Sequence, residues 1–478
     1  MFSFDLESES WLELEHIQRK PYILKEILNV FIRINLDRLA VISQLNFGSN
    51  LVIILTGILI LNIQAVTHSL YAQVASSGDP EIPGSNFSEG AGAPNITNPS
   101  LKAEIVFKGL EFPTNMALLG PDDFLVLEKS KGTVSRIING VMLAEPLLHV
   151  NVASEVERGM LGIAVSNTTN QTNMGSNNLT TTGGPYVFLY YTEAASPQDS
   201  TPVGNRVYRY ELADNKLVNP KLLLDLPAIP GPRHNGGSIT IGPDNNLYVA
   251  IGDVDGHTTE AQNVHEGGRP DGTGGILRIT QDGKPVQGII GDQSPSNKYF
   301  AYGVRNSFGI DFDPITGNLW DTENGPGSND EINLVQPGFN SGWLPIQGKA
   351  PADFDFQQLV NFGDKGVYRD PEFSWVDTVG PSEVLFFNSD KLGEEYENDM
   401  LIADVHFGRI YHFNLNENRT GLVLEGPITD KVADTDAEVQ KLIFGSEFGA
   451  ITDLDIGPDG NLYVLSFGQG AIYKIHPS

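Results

Sequence analysis

The chain has 478 residues, enough for one large domain or two ordinary ones. Its 60 acidic against 30 basic residues exclude the basic stripe that nucleic-acid binding requires. With no cysteine, disulfides, thiolate metal sites and a cysteine nucleophile are excluded. The 51 glycines and 29 prolines argue against a helical bundle and for short strands joined by tight turns.

In chain order, residues 1–73 come first as an N-terminal extension. No Asp, Glu, Lys or Arg occurs from 39 to 78, and the apolar run Leu51 to Val66 suits a signal-peptide core or a membrane anchor. Either places everything after about residue 73 outside the cytoplasm, secreted or tethered to the membrane. Six Asn-x-Ser/Thr sequons (Asn86, Asn95, Asn167, Asn170, Asn178 and Asn418) agree with a secreted glycoprotein. Residues 74–100, rich in Gly, Ser, Pro and Asn, read as a flexible tether, and the polar run Ser166 to Gly184 reads as a surface loop between two strands.

From 101 to 478 the chain repeats itself. Segments beginning at Gly120, Gly184, Asp313, Glu397, Gly242 and Gly457 each combine a turn with an apolar strand, followed by a second turn and strand. "GPDNNLYVAIGD" and "GPDGNLYVLSFG" are the most alike. Six such units predict an all-β fold, a six-bladed β-propeller. The segment Ala103 to Leu110 is expected to complete the last blade and close the ring.

Four loops carry chemistry-bearing residues. In "RHNGG", His234 could serve as a base if Asp253, nineteen residues on, fixed its tautomer; the plain alternative is a turn histidine. In "YGVRNSFG", Arg305 and Asn306 could hold an anionic group, or Arg305 could simply tie two blades together. "TENGPGSNDEINLV" joins Glu323, Asp330 and Glu331 to a Gly-Pro-Gly turn, an oxygen-rich set that suits calcium or a plain acidic hairpin. "EVERGMLGIAV" places Glu157 in a charged loop before a buried strand.

Taken together, His-x-Gly-Gly, a strand ending in Gly-Asp, Arg-Asn-x-x-Gly, Gly-Pro-x-x-x-Asp-Glu-Ile-Asn and Gly-Trp resemble the soluble sugar dehydrogenases that use pyrroloquinoline quinone (PQQ). These are the glucose/sorbosone and aldose sugar dehydrogenases, and the likeness runs from about Leu101 to the C-terminus. The resemblance implies a six-bladed propeller that oxidises an aldose at the anomeric carbon to a lactone and passes electrons to an external acceptor. It assigns His234 as base, Asp253 as its partner and Arg305 as a catalytic cation. Glu157, His234, Arg305 and Asn306 would line the PQQ. The carbonyls of Gly325 and Pro326, with Glu331 nearby, would hold Ca2+. The sequence departs from the pattern in three places. Ser307-Phe308 follow Arg-Asn, and Asn388 stands where the glucose-oxidising members have lysine. In the last unit Ala450 and Thr452 replace two arginines expected to bind the quinone carboxylates. Each lost charged partner costs about 1.5–3 kcal/mol, unless Arg233 or Arg409 compensates. That deficit leaves a second class open, an extracellular binding or adhesion propeller without PQQ. A third is a calcium-dependent lactone hydrolase.

Overall fold

Each repeated segment becomes the second strand of its own sheet in the computed structural model, which describes residues 93–166 and 185–478. In chain order these strands are Asp123–Glu128, Tyr186–Ser196, Asn246–Ile251, Leu319–Glu323, Met400–Asp404 and Leu462–Ser466. They belong to six different sheets of four to six strands, and almost every pairing is antiparallel. Leu319–Glu323, Met400–Asp404 and Leu462–Ser466 are buried along their whole length. Packing on both faces explains why Met400–Asp404 and Leu462–Ser466 read as nearly continuous apolar runs, while Leu319–Glu323 buries Asp321, Thr322 and Glu323 as well.

The turn before the strand is built the same way in the two most similar copies. Asp244 accepts hydrogen bonds from the backbone N–H of Asn246 (3.1 Å), the Asn246 amide (2.8 Å) and the Tyr248 hydroxyl (3.1 Å). Asp459 repeats this with Asn461 (3.2 and 2.7 Å) and the Tyr463 hydroxyl (3.2 Å). One aspartate thus closes the turn and pins the first tyrosine of the strand.

Each sheet starts with an inner strand: Pro113–Gly120, Met160–Val165, Ile239–Ile241, Ser307–Phe312, Pro381–Phe386 and Ile451–Ile456. Each of these packs beside the next, and the last returns to the first. This is the all-β propeller that the repeats predict. Between the second and third sheets a core gathers Phe188, Tyr190, Val249, Ile251 and Leu277, all essentially inaccessible to solvent. Leu101–Lys108 pairs antiparallel with Ala471–Pro477, so the final sheet combines both ends of the repeated region.

One boundary differs from expectation. The tether was expected to run to residue 100, yet Asn95–Ile96 pairs with Gly445 and Ser446, and both the N–H and the hydroxyl of Thr97 donate to the Phe444 carbonyl. Ile96 packs against the core there, so a β-branched residue and an open sheet edge outweigh the local composition. The readings made on residues 1–92, and on the sequons and loop at 167–184, fall outside the described residues.

Candidate active site

Loops from three successive sheets meet around His234. The loop before Met160–Val165 supplies Glu157, the loop ahead of Ile239–Ile241 supplies His234, and the residues leading into Ser307–Phe312 supply Arg305. Their convergence follows from close backbone approach. Gly236 and Gly237 both have positive φ (69° and 129°). A Cβ on Gly236 would lie 2.4 Å from the Ala250 carbonyl, and one on Gly237 would lie 2.6 Å from Leu161 Cβ. Only glycine allows this loop to sit so close to its neighbours. Arg158 adds a clamp, donating to the carbonyls of Ala228 and Gly231 on the segment that leads to His234.

His234 is buried and has a left-handed backbone (φ 56°). Its Nδ1 lies 2.5 Å from Asp253 Oδ1, and its backbone N–H donates to Glu157 Oε2 at 2.5 Å. The other oxygen of Asp253 accepts from Trp343 Nε1 at 2.8 Å, and the Asp253 N–H donates to the Arg305 carbonyl at 2.9 Å. Burial pushes the Asp253 carboxyl up. The positive charge of His234, the hydrogen bond to it and the Arg305 guanidinium outweigh burial and leave it below the usual carboxylate value. An ionised Asp253 holds a proton on Nδ1, so in the neutral form of the ring the lone pair resides on Nε2.

Arg305 is fully buried, with its N–H on Glu323 Oε1 (2.6 Å), Nη1 on the Asn324 carbonyl (2.8 Å) and its guanidinium 5.3 Å from the Trp343 ring. The buried Asn306 side-chain oxygen has no hydrogen-bond partner among the described residues. Gly325 and Pro326 lie partly exposed on the turn, where the Gly325 carbonyl accepts from Gly327 (3.0 Å) and the Gly325 N–H donates to Asp330 (2.9 Å). Asp330 also takes the N–H groups of Val379 and Gly380, which makes it the organiser of this turn. Glu331 points elsewhere, toward the Gly348 N–H (2.6 Å), Asn333 (3.1 Å) and Ser341 (3.4 Å). No group of three or more His, Asp or Glu side chains among the described residues has metal-binding geometry.

A cavity of about 400 Å³ lies beside this cluster, with Lys129, Glu157, Arg233, Phe308, Ala450 and Thr452 in its wall. Glu157 links the two: it lines the cavity and holds the backbone of His234. Of the residues expected to line a cofactor or bind a metal, only Glu157 is in the wall; His234, Asp253, Arg305, Asn306, Gly325, Pro326 and Glu331 form no part of it, His234 lying behind its neighbours Arg233 and Gly236. Ala450 and Thr452 do face it, and the Thr452 hydroxyl is committed to the Pro113 carbonyl (2.9 Å). Of the two arginines expected to compensate, Arg233 lines the cavity. Arg409 does not; it stacks 4.4 Å from the Phe407 ring centre. Sequence reading missed Lys129, whose signal was a single cation directly after the strand "DFLVLE". It also passed over Trp343 as an individual residue, although the Gly-Trp pair was noted.

Residues 110–474 match the family model described as Glucose / Sorbosone dehydrogenase. The chain is 25% identical to an aldose sugar dehydrogenase of Escherichia coli over 391 residues, covering 79% of this chain and 93% of that protein. It is 26% identical to quinoprotein glucose dehydrogenase B of Acinetobacter calcoaceticus, covering 61% and 71% respectively. Among solved structures, the apo form of the soluble Escherichia coli aldose sugar dehydrogenase superposes with a TM-score of 0.61 at 22% identity, over 79% of this chain and all of that one. The PQQ-bound aldose sugar dehydrogenase of Streptomyces coelicolor gives 0.56 at 23% identity, over 81% of this chain and all of that one.

Proposed function

The chain belongs to the glucose/sorbosone dehydrogenase family, and from that premise we propose that it is a PQQ-dependent oxidoreductase that converts an aldose to its lactone. We read the six sheets as six blades, with the site at one mouth of their channel. The observation that carries the reading is the chain of hydrogen bonds from half-buried Glu157 through buried His234 and Asp253 to Trp343, set against a cavity of cofactor size.

The residues present fit a planar, polyanionic quinone. Lys129 and Arg233 supply positive charge, and the aromatic rings of Phe112 and Phe467 stand in the wall 5.2 Å apart. Bound there, PQQ would supply the two-electron sink for the hydride that leaves the anomeric carbon. Calcium would be held by the carbonyls of Gly325 and Pro326, the oxygen donors that the turn exposes. His234 Nε2 takes the proton of the anomeric hydroxyl, and Asp253 stabilises the imidazolium that forms. Arg305, immobilised by Glu323 and Asn324, adds fixed positive charge behind the site. The product is a lactone, and an external acceptor carries the electrons away. The apolar 51–66 segment supports a location outside the cytoplasm, secreted or tethered.

Ala450 and Thr452, both neutral and both in the cavity wall, favour one competing reading: a sugar-binding propeller without a cofactor. The two separate on reconstitution of the purified full chain with calcium and PQQ. The enzyme reading expects quinone absorbance that survives desalting, dye reduction with a panel of aldoses, and His234→Ala retaining quinone but losing turnover. A chain that holds no quinone yet binds sugars would replace the enzyme reading with the binding module.

A further inference from the structure

The cavity wall carries more cations than carboxylates within a strongly acidic protein, and among the described residues no carboxylate forms an ion pair with those cations. The formal net charge of the chain is −30, yet the cavity wall carries two cations, Lys129 and Arg233, against one carboxylate, Glu157. Glu157 is engaged by the His234 N–H at 2.5 Å. Among the described residues no carboxylate lies within ion-pair distance of Lys129 or Arg233. Lys129 is 92% buried, and Nζ donates to the Ser154 carbonyl at 2.8 Å. Its stem lies across Gly159, where a Cβ would meet Lys129 Cγ at 2.6 Å, so the position of the ammonium is set by packing. Glu157 attracts the Lys129 ammonium without forming an ion pair with it, which offsets only part of the cost of burying the charge, and a carboxylate brought by a ligand would relieve the rest.

We propose that Lys129, together with Arg233, forms the carboxylate clamp of this cavity and takes over the charge that Ala450 and Thr452 cannot supply. This rests on the PQQ reading above. The clamp thereby sits on the first and third sheets rather than on the last, and reaches the ligand from the side of Glu157 and His234. A consequence follows from the environment of Lys129. Burial pushes its ammonium down to about 8, against the opposing pull of Glu157. A carboxylate at hydrogen-bond distance raises it again, so binding near pH 8.5 takes up a proton.

The test is PQQ binding to the full chain in calcium buffer, followed by fluorescence quenching and by calorimetry at pH 8.5 in two buffers of different ionisation enthalpy. Lys129→Gln is expected to weaken binding by about 10–100-fold, the loss of one charged partner, and to abolish proton uptake. Lys129→Arg should retain affinity and lose the proton uptake. Arg233→Gln should weaken binding while leaving the uptake in place. Lys129→Gln binding as tightly as wild type, with the apo variant melting normally, overturns the assignment. Benzene-1,3,5-tricarboxylate serves as a second probe. If wild type ignores PQQ but binds this anion in a Lys129-dependent way, the cofactor reading fails and the clamp stands. If it binds neither, both fail.

Discussion

Asp253 is the residue on which the proposed chemistry depends most directly. It receives His234 on one oxygen and Trp343 on the other, and its carboxyl is held below the usual range. An amide in its place keeps the volume but offers Nδ1 no charge and can present an N–H instead. Asp253→Asn is therefore expected to lower the turnover of sugar oxidation by about 10²–10⁴-fold, the usual contribution of a positioned base. Quinone affinity should change little, because Asp253 does not line the cavity. Steady-state dye reduction beside a quinone titration checks both halves. A loss of affinity with unchanged turnover would move Asp253 out of the mechanism. From the residues alone His234 and Asp253 were either a base with its partner or a turn histidine and a strand end; the hairpin of Ile239–Ile241 and Asn246–Ile251 brings the two side chains within hydrogen-bond distance. Lys129 was not legible in the sequence, because a lysine after a strand is ordinarily a solvated residue, and here only Gly159 and the neighbouring sheet bury it.

At the scale of the element, the His-Asn-Gly-Gly loop shows how a sequence motif becomes a position. Its two glycines have positive φ and press on Ala250, Ile251 and Leu161. Gly236→Ala must both adopt a strained backbone and displace main-chain atoms, a cost of about 2–4 kcal/mol. The expected result is a clear drop in melting temperature in calorimetry, with His234 misplaced and turnover lost at temperatures where the chain is still folded. Unchanged stability would mean that the loop can move away at no cost. The loop from Asn324 to Asp330, for which calcium binding is proposed, was only half readable in the same sense. Its acidic residues suggested side-chain ligands, but Asp330 organises the turn by accepting three backbone N–H groups. Glu331 turns toward Asn333, Ser341 and Gly348. Strand alternation puts Asp330 and Glu331 on opposite faces, which the string of letters does not resolve into roles.

For the whole molecule, the burial of carboxyls at and between the inner strands sets the response to pH. Burial pushes Asp311 and Glu323 up to about 7, and Asp404 and Asp455 up to about 6. In the unfolded chain such groups ionise near 4. Between roughly pH 4 and 7 the folded state thus holds more protons than the unfolded one, and stability falls as pH rises. Asp253, Asp271 and Asp313 are shifted down, and Asp459 to about 2. The stability they contribute is intact across that window and is lost only as pH drops through their lowered values. The melting temperature of the calcium-free protein should be higher at pH 5.5 than at pH 8. A melting temperature that climbs steadily with pH would show that these carboxyls are ionised in the fold. Closure makes a separate demand. Because Leu101–Lys108 is the outer strand on Ala471–Pro477, a chain beginning at Gly109 should melt at a lower temperature than the full chain in calorimetry, and an unchanged melting temperature would show that this strand does not hold the ring closed.

By itself the sequence determined the strands, the turns between them and their number of repeats, because apolar runs and Pro-Asp-Gly turns are local features with local causes. It also placed His234 and Asp253 at the two ends of one strand hairpin, where short-range geometry suffices. Tertiary structure alone decided which charges face the cavity. Lys129, Glu157, Arg233, Ala450 and Thr452 are spread over more than 320 residues of chain, and they share a wall only because the inner strands close into a ring. Whether a cation is solvated or buried against a ligand site depends on what the neighbouring sheets put around it, and no local pattern carries that information.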